Sequence, residues 1–301
     1  MKNLKSVVTG GAGFIGSNLV DRLIDLGHNV IVIDNESSTA NDQFYYNQQA
    51  EYHCIDIADY DRIRPLFDGV DYVFHLAAES RIQPAILNPL LAVRTNALGT
   101  ATVLQCAREA SVKKVMYSST SSGYGLTNTP PLEETMPDDC LNPYSVSKVA
   151  GEKLCKMYSD LFGLPTLVFR YFNVYGPREP SKGPYAPVVK LFLRQHAAGE
   201  ALTIVGDGLQ RRDFTHVNDV VDANLLAMTS DQTGLFNIGT GKNHSVIELA
   251  NMISENITYI PTRPGEARIT LANNSKSQTL LGWKSKHTLE EYVADQMKAM
   301  Q

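Results

Sequence analysis

Cysteine, tryptophan and long apolar runs are scarce in this sequence of 301 residues. There are four cysteines, none in a CxxC pair, and the seven histidines are equally scattered. We therefore expect no disulfide framework and no metal site, but reduced, buried thiols in a cytoplasmic protein. The apolar start at residues 4–15 is interrupted by three glycines, which excludes a signal peptide or a membrane span there.

Blocks of basic residues are also absent. The net charge of -5 is spread along the chain, so there is no basic footprint for a phosphate backbone, and we expect no nucleic acid partner. A hydrophobic fraction of 43% and a charged fraction of 20% are typical of a globular protein with a sizeable core. One large domain or two closely joined ones both fit this length.

What recurs is a short β-branched run followed by a longer helical pattern. This alternation predicts an α/β fold with a doubly wound parallel sheet and crossover helices. The predicted strands are Ser6–Thr9, Val30–Asp34, Tyr52–Ile55, Tyr72–His75, Lys114–Tyr117 and Thr166–Phe169. The predicted helices between them are Phe14–Leu26, Asp61–Phe67, Thr95–Ala110 and Ser145–Phe162.

The pattern becomes less regular after the Gly176-Pro177 break. Helices are predicted at Ala186–Ala198, Val217–Met228, Val246–Ser254 and Leu289–Met300, with short strands at Leu202–Ile204 and Phe236–Ile238. We expect residues 1–176 to form the main domain. Residues 177–301 would form mainly a smaller mixed α/β lobe, with the chain crossing back around 210–240. The lobe would close over the carboxyl ends of the strands, where open α/β sheets bind ligands.

A glycine-rich turn follows the first predicted strand and opens the first helix. Gly10, Gly13 and Gly16 have the spacing that dinucleotide binding requires: a tight turn, close backbone approach to a pyrophosphate, and close packing of helix on strand. The free N–H groups and the positive dipole end of the helix favour the phosphates. This context predicts a Rossmann-type fold.

Acidic residues end the second and third predicted strands. Asp34 lies eighteen residues after Gly16, where a carboxylate can accept hydrogen bonds from the adenosine ribose and would repel a 2′-phosphate. NAD is therefore favoured over NADP as the cofactor. Asp56 and Ile57 are candidates for flanking the adenine, although an aspartate at a strand end is also a common helix cap.

Tyr144 and Lys148 lie four residues apart, on one face of the predicted helix. The ammonium, together with the nicotinamide ring of an oxidised cofactor, is expected to lower the tyrosine pKa from about 10 and so to produce a general base. Upstream, the hydroxyl cluster Ser118–Ser122 follows a predicted strand. Its members are candidates for orienting the proton that the base removes.

Seven ordered motifs then resemble the extended short-chain dehydrogenase/reductases, and within them the UDP-hexose 4-epimerases. The family patterns are TGxxGFIG, HLAA, SS(S/T)xxxYG, YxxSK, RxFNxYGP, RDFxHVxD and RPG(D/E). They stand here at Thr9–Gly16, His75–Ala78, Ser118–Gly125, Tyr144–Lys148, Arg170–Pro177, Arg212–Asp219 and Arg263–Glu266. The resemblance covers nearly the whole chain.

The resemblance implies a role for each matching position. Thr120, Tyr144 and Lys148 match the catalytic residues. The implied cofactor-binding set is Gly10, Gly13, Phe14, Ile15, Gly16, Asp34, Asn35, Asp56, Ile57, Leu76, Ala77, Ala78, Asn96, Ser118, Tyr144, Lys148 and Tyr171. The implied substrate-binding set is Arg81, Thr120, Ser121, Ser122, Tyr144, Asn173, Arg178, Arg212, Arg263 and Glu266. The two arginines Arg212 and Arg263 suit a diphosphate, because guanidinium groups bind phosphate through paired, charge-assisted hydrogen bonds.

The implied reaction begins with oxidation of the sugar at C4. Family dehydratases have an Asp-Glu pair directly after the catalytic Thr, and uronate decarboxylases have a Glu nearby, whereas this chain has Ser121, Ser122 and Gly123. We therefore expect a UDP-sugar 4-epimerase that works through a transient 4-keto intermediate. The dehydratase and decarboxylase reactions stay open, as does a non-catalytic NAD sensor.

Substrate choice and assembly are also expectations from the resemblance. Thr270 falls near the position where a bulky tyrosine excludes N-acetyl groups in some 4-epimerases, so a small residue there would admit UDP-N-acetylhexosamines as well as UDP-glucose. Arg81 or Arg178 would suit the carboxylate of UDP-glucuronate. The predicted helices Thr95–Ala110 and Ser145–Phe162 resemble the pair that forms a four-helix contact in relatives, which implies a homodimer. Supply of sugars for cell-envelope or extracellular polysaccharides is the expected pathway.

Overall fold

The computed structural model describes residues 4–39, 41–183 and 185–300. A seven-stranded, wholly parallel sheet forms its centre, in the order β3-β2-β1-β4-β5-β6-β11. These strands are β1 (Lys5–Thr9), β2 (Asn29–Asp34), β3 (Glu51–Cys54), β4 (Tyr72–His75), β5 (Lys114–Thr120), β6 (Thr166–Tyr171) and β11 (Gly234–Ile238). The first six follow the doubly wound Rossmann order, which confirms the predicted fold class.

Helices cover both faces of this sheet. The helices of the first half are α1 (Phe14–Asp25), α2 (Tyr60–Ile63), α3 (Ile82–Leu87), α4 (Pro89–Val93), α5 (Thr100–Glu109) and α6 (Pro143–Phe162). Those of the second half are α7 (Val188–Ala197), α8 (Val217–Thr229), α9 (Val246–Asn251), α10 (Ser275–Leu281) and α11 (Leu289–Ala299). Within the described ranges, no helix is both long and apolar enough to cross a membrane.

Two buried layers hold the helices to the sheet. One layer packs α5 and α6 against strand residues such as Val73 and Val115. The other packs α1 and α8 against residues such as Val8 and Phe169, together with the fully buried Trp283. The inner strands β1, β4, β5 and β6 are buried on both faces because both faces of the sheet are covered, which explains their continuous rather than alternating apolar runs. The edge strand β3 is polar and partly exposed.

The smaller lobe is built from three two-stranded pairs and the later helices. The pairs are β7 (Val174–Tyr175) with β10 (Thr215–His216), β9 (Arg211–Arg212) with β12 (His244–Ser245), and β8 (Leu202–Val205) with β13 (Ile257–Ile260). A separate core that includes Phe192, Phe214 and Leu249 supports it. Between these pieces the chain returns to the main sheet through α8 and β11, so the strand predicted at Phe236–Ile238 pairs with β6.

Local sequence explains where the longest helix begins. α6 starts at Pro143, two residues before the predicted boundary, because Asn142 caps it and proline suits the first helical position. The predicted helix Thr95–Ala110 instead opens with a π-helical stretch at Arg94–Gly99 before α5. The cysteines differ from expectation in one respect, since Cys54 is exposed while Cys106 and Cys155 are buried.

Candidate active site

A cavity of about 810 Å³ lies at the carboxyl ends of the main sheet's strands, below the smaller lobe. It brings together most of the residues that the sequence singled out. The predicted residues that line it are Gly10, Gly13, Phe14, Ile15, Gly16, Asp34, Asn35, Ile57, Leu76, Ala77, Ala78, Arg81, Ser118, Thr120, Ser121, Ser122, Tyr144, Lys148, Tyr171, Asn173, Arg212, Arg263 and Glu266.

The glycine turn is shaped for a dinucleotide. A Cβ atom at Gly10 would lie 2.7 Å from the backbone nitrogen of Ala77, and one at Gly16 would lie 2.1 Å from the carbonyl oxygen of Gly10. Gly13 precedes α1 without a side-chain cap for the first-turn N–H groups. Backbone donors and a positive dipole end therefore face the cavity, as pyrophosphate binding needs.

The carboxylate of Asp34 is held beside this turn. Its Oδ2 accepts a hydrogen bond from the backbone N–H of Ala12 at 3.1 Å, and its Oδ1 accepts one from Glu36 at 2.9 Å. Burial raises the pKa of Asp34, and these two donors oppose the rise. Each oxygen keeps a second lone pair for a ribose hydroxyl. These residues fit NAD.

Two predicted cofactor residues do not line the cavity. The Asp56 carboxylate accepts the N–H of Ala58 at 2.9 Å and pairs with Arg94 at 3.2 Å. The Asn96 side chain is fully buried and donates to the carbonyl of Glu79 at 3.0 Å and to the Ser147 hydroxyl at 2.9 Å. Asn96 thus holds the loop after β4 against α6 instead of facing the cavity.

Tyr144, Thr120 and Lys148 meet between β5 and the first turns of α6. Tyr144 and Thr120 both line the cavity, and the Thr120 hydroxyl is the neighbour that opposes the effect of burial on the pKa of the Tyr144 phenol. Lys148 is 2% exposed, and its ammonium lies 4.3 Å from the centroid of the Tyr117 ring. The position of Tyr144 follows from the Asn142 cap, which fixes the start of the helix.

The electrostatics of this group differ from the expectation. Burial raises the pKa of Tyr144, and the neighbouring Thr120 hydroxyl opposes the rise. Burial also lowers the pKa of Lys148 to about 7, against the influence of Cys155 and Glu152. The lowered tyrosine pKa predicted from Lys148 is therefore not found in the chain alone, because the cost of burying charge outweighs the attraction.

The far wall of the cavity carries two arginines. Arg212 donates to the carbonyls of Arg211 and Arg268 and lies 3.5 Å from the Glu266 carboxylate. The guanidinium of Arg263 lies 5.3 Å from the centroid of the Tyr185 ring. Both cations line the same cavity as the glycine turn, where they are suited to an anionic part of a second ligand.

Two contacts position this wall. Asn142, the cap of α6, donates to the carbonyl of Gly265 at 3.0 Å, so the turn that carries Arg263 docks on the helix that carries Tyr144. Next to Arg212, the buried Asp213 accepts backbone N–H groups from Thr240, Gly241 and Ala272. Asp213 therefore fixes the strands beside Arg212 and Thr270.

Arg178, predicted as a substrate residue, lies outside the cavity lining. It forms an ion pair with Asp21 at 2.6 Å and lies 5.1 Å from the centroid of the Tyr45 ring. Arg81 does line the cavity, with Asp42 and Glu179 as the acidic neighbours that oppose the lowering of its pKa by burial. Of the two arginines proposed for a uronate carboxylate, only Arg81 is in place.

The cavity lining also includes residues that the sequence analysis did not assign. Glu79 lines it, and burial raises the pKa of its carboxyl group. Its place directly after the His75–Ala78 motif is the sequence signal that could have identified it. Tyr185 and Leu91 also line the cavity, but no motif marks them. Among the described residues, no group of three or more His, Cys, Asp or Glu side chains is arranged to hold a metal.

Comparison with known proteins agrees with this geometry. The chain is 36% identical over 305 residues to a UDP-glucose 4-epimerase of Mycolicibacterium smegmatis, covering 97% of this chain and 96% of the relative. It is 36% identical over 282 residues to a UDP-N-acetyl-alpha-D-glucosaminuronate decarboxylase of Bacillus cytotoxicus, covering 85% and 83%. The crystal structure of UDP-glucose 4-epimerase from Thermotoga maritima with UDP-glucose superposes with a TM-score of 0.93 at 35% identity, covering 98% of each chain. Residues 6–239 match the NAD dependent epimerase/dehydratase family, and the chain belongs to that family.

Proposed function

We propose that this chain is an isomerase that catalyses NAD-dependent 4-epimerisation of a UDP-sugar through a transient 4-keto intermediate. The observation that carries the proposal is that Thr120, Tyr144 and Lys148 come together in the lining of one cavity. The same cavity is lined by a glycine turn suited to a dinucleotide and by Arg212 and Arg263. The similarity to UDP-glucose 4-epimerases along nearly the whole chain supports the same reaction.

The proposed chemistry uses each residue for one task. Tyr144, as the phenolate, accepts the proton of the sugar 4-hydroxyl, and Thr120 orients that hydroxyl through its own. The Lys148 ammonium stabilises the negative charge on Tyr144. NAD, when bound, supplies the acceptor for the C4 hydride and the donor that returns it. Arg212 and Arg263 hold the diphosphate, which leaves the sugar free to turn and present its other face. The protein returns to its starting state with no net redox change.

The substrate that we favour is a UDP-N-acetylhexosamine, with UDP-glucose as a second substrate. Thr270 lines the cavity beside Glu266 and leaves room that a bulkier residue would fill. UDP-glucuronate is a further candidate, because Arg81 lines the cavity and carries a positive charge.

Uronate decarboxylation is the second candidate. Two observations favour it: the similarity to the Bacillus cytotoxicus decarboxylase, and the half-buried carboxyl group of Glu79 in the cavity lining. Ser121 and Ser122 oppose it, because neither carries an acid or base at the position directly after Thr120. The 4,6-dehydratase reaction has only the Glu79 argument in its favour.

We also propose a homodimer, formed through α4, α5 and α6. Of these elements, α4, α6 and the π-helical stretch that precedes α5 expose large apolar side chains. The exposed fractions are 82% for Leu90, 54% for Leu98, 50% for Val146, 71% for Leu161 and 41% for Phe162. Covering such a group of side chains is a common reason for association.

The proposal also covers the roles of the two domains, the cellular compartment and the pathway. Residues 1–176, with α8 and β11, would bind NAD, and the rest of residues 177–301 would bind the UDP-sugar. The four free cysteines suit a cytoplasmic enzyme. The product would serve polysaccharide biosynthesis.

The deciding experiment is proton NMR of the enzyme with NAD in heavy water, with UDP-glucose, UDP-N-acetylglucosamine and UDP-glucuronate in separate samples. A C4 epimer that keeps all its carbon-bound hydrogens supports epimerisation and identifies the sugar. Deuterium at C5 with a deoxy-keto sugar, or loss of CO2, would support the dehydratase or decarboxylase instead. No reaction in any sample would contradict the proposal.

A further inference from the structure

Glu152 connects the catalytic helix to the sheet. It lies one helical turn beyond Lys148 on α6 and is 7% exposed. Its Oε1 accepts a hydrogen bond from the Ser119 hydroxyl at 2.5 Å and one from Arg170 Nε at 2.9 Å, and its Oε2 accepts one from Arg170 Nη2 at 2.7 Å. Ser119 and Arg170 are register partners on β5 and β6. One carboxylate therefore binds α6 to the strand end that carries Thr120.

The helix and the strand lie too close together for this contact to be incidental. The Tyr117 hydroxyl donates to the carbonyl of Lys148 at 3.1 Å, and a Cβ atom at Gly151 would lie 2.2 Å from that hydroxyl oxygen. On the other side, a Cβ atom at Gly123 would lie 2.9 Å from Val149 Cγ2. Closely packed elements move together, so a change at Glu152 is transmitted to the Thr120–Tyr144 pair.

Glu152 is also the source of negative charge beside Lys148. The titratable groups around the Lys148 ammonium are Tyr144, Glu152 and Cys155 on α6, Tyr117 on β5 and His75 on β4. Burial lowers the pKa of His75 to about 3 and raises the pKa of Tyr117 and of Cys155 well above their usual values. Those three groups are therefore neutral near pH 7. The Glu152 carboxylate is the remaining anion near Lys148, and it faces two cations, Arg170 through their ion pair and Lys148 one helical turn away.

We propose that Glu152 is a positioning residue for the epimerisation: it fixes the strand end carrying Thr120 against the helix carrying Tyr144 and Lys148, and it keeps Lys148 in its cationic form. The inference rests on the proposed function. It assigns Glu152 no contact with substrate or cofactor, since Ser119 and Arg170 surround its carboxylate. Its effect reaches the reaction through Lys148 and Thr120.

The test compares three variants of the full-length enzyme with NAD bound. Glu152→Gln keeps the shape and removes the charge. Ser119→Ala removes the strand-to-helix hydrogen bond and leaves the charge. Asp138→Asn is the matched control, because Asp138 also pairs with Arg170, at 2.5 Å, and its loss removes one carboxylate from the same network. The measurements are kcat and KM for the UDP-sugar between pH 6 and pH 10.

For Glu152→Gln we expect kcat to fall about tenfold to hundredfold with little change in KM, as for a misplaced catalytic group. The alkaline limb of the kcat profile should move to lower pH by about one unit, because Lys148 loses its counter-charge. Ser119→Ala should lower kcat without moving that limb, and Asp138→Asn should leave the limb in place. The proposal would be overturned if the alkaline limb of the kcat profile stayed at the wild-type pH in Glu152→Gln, or if it shifted equally in Asp138→Asn. If Glu152→Gln does not fold, the proposal would be overturned by a kcat of Ser119→Ala equal to that of the wild type.

A second readout does not depend on turnover. In ¹³C-lysine NMR, with the Lys148 signal identified by Lys148→Met, the titration of Lys148 should move to lower pH in Glu152→Gln. It should not move in Asp138→Asn. If the wild type turned over no UDP-sugar while this shift was seen, the proposed function would fail and the link between Glu152 and Lys148 would stand. A Lys148 titration unchanged in Glu152→Gln would overturn that link.

Discussion

The Oδ2 atom of Asp34 accepts a 3.1 Å hydrogen bond from the backbone N–H of Ala12, which joins the end of β2 to the glycine turn after β1. Strands β1 and β2 pair along their length, and the last pair is Thr9 with Ile33. The bond from Ala12 to Asp34 therefore continues the contact between the two chain segments beyond the sheet. The carboxylate is thereby fixed at the edge of the cavity before any ligand binds. Such preorganisation lowers the entropy that binding must overcome.

Asp34→Asn should weaken discrimination between the two nicotinamide cofactors. The amide keeps an acceptor oxygen but loses the charge, so a charge-assisted hydrogen bond of about 1.5 kcal/mol is lost for NAD and repulsion of a 2′-phosphate disappears. We expect about tenfold weaker NAD binding and a matching gain for NADP relative to NAD. Calorimetric titration with each cofactor measures this. Asp25→Asn, at an exposed position on α1, is the control, and an unchanged preference in Asp34→Asn would contradict the assignment.

Tyr144→Phe should abolish turnover while leaving NAD bound. The phenol is the proposed base, and losing a general base costs about 10²–10⁴-fold in kcat. Tyr158→Phe is the matched control on the same helix, because its hydroxyl donates to Gln105 at 3.0 Å, away from the cavity. Full-length enzyme assays with the reactive sugar make the measurement. Turnover at the wild-type rate in Tyr144→Phe would remove Tyr144 from the mechanism. A wild type that binds NAD and turns over nothing would favour the sensor alternative.

The sheet and the cavity were largely predictable because they depend on local pattern. Strands β1, β2, β4, β5 and β6 are apolar and β-branched, and the residue after each strand end lies at the same edge of a parallel sheet. Glycine spacing after β1 and the acidic end of β2 therefore predicted one site without any knowledge of tertiary contacts. The spacing of Tyr144 and Lys148 on one helix is equally local.

The remainder depends on contacts between distant residues. Arg178 was assigned to the substrate, but its partner Asp21 is far away in sequence. The pairing of Glu152 with Arg170 likewise joins α6 to β6. The two-residue strands β9 and β12 are too short to produce a periodic pattern. The π-helical stretch Arg94–Gly99 has no signature of its own in sequence.

Glu179→Gln should stabilise the protein at alkaline pH. Glu179 is 2% exposed, and its Oε1 has no hydrogen-bond partner within the described part of the chain. Burial raises its pKa from 4.5 to about 8, against the N–H groups of Gly176 and Lys190 and the charges of Lys190 and Arg81. Because the folded pKa is the higher one, the stability from this group is fully present below about pH 4.5 and is lost as the pH rises to about 8.

Between about pH 4.5 and pH 8, the wild type loses on the order of 4 kcal/mol of its free energy of unfolding through the ionisation of Glu179. Glutamine does not ionise, so the free energy of unfolding of Glu179→Gln should exceed that of the wild type by more at pH 8 than at pH 5. Urea unfolding at both pH values measures the difference. Glu200→Gln, at an exposed site, should behave as the wild type. An equal difference at pH 5 and pH 8 would show that Glu179 does not titrate in this range.

Leu161→Glu should convert the proposed dimer to a monomer. Leu161 is 71% exposed near the end of α6 and lies about four turns from Val146, which is 50% exposed on the same helix. A carboxylate there would have to be desolvated in a contact between copies. Light scattering measures the mass. Leu280→Glu, at a 46% exposed leucine on α10, is the control and should stay dimeric. A wild type that is monomeric at the same concentration would contradict the dimer.

Thr270→Tyr should narrow the range of substrates. Thr270 is 7% exposed, accepts the backbone N–H of Asp213 at 3.3 Å and lines the cavity beside Arg212. A phenol at this position would occupy the space that an N-acetyl group needs, and a steric penalty of about 1–3 kcal/mol lowers kcat/KM by about 5–150-fold. UDP-N-acetylglucosamine turnover should fall by that factor, while UDP-glucose turnover should change little. Thr270→Ser keeps the hydroxyl and the space, so it should retain both activities. An equal loss for the two sugars in Thr270→Tyr would mean that the residue supports the cavity wall through Asp213 instead of selecting the substrate.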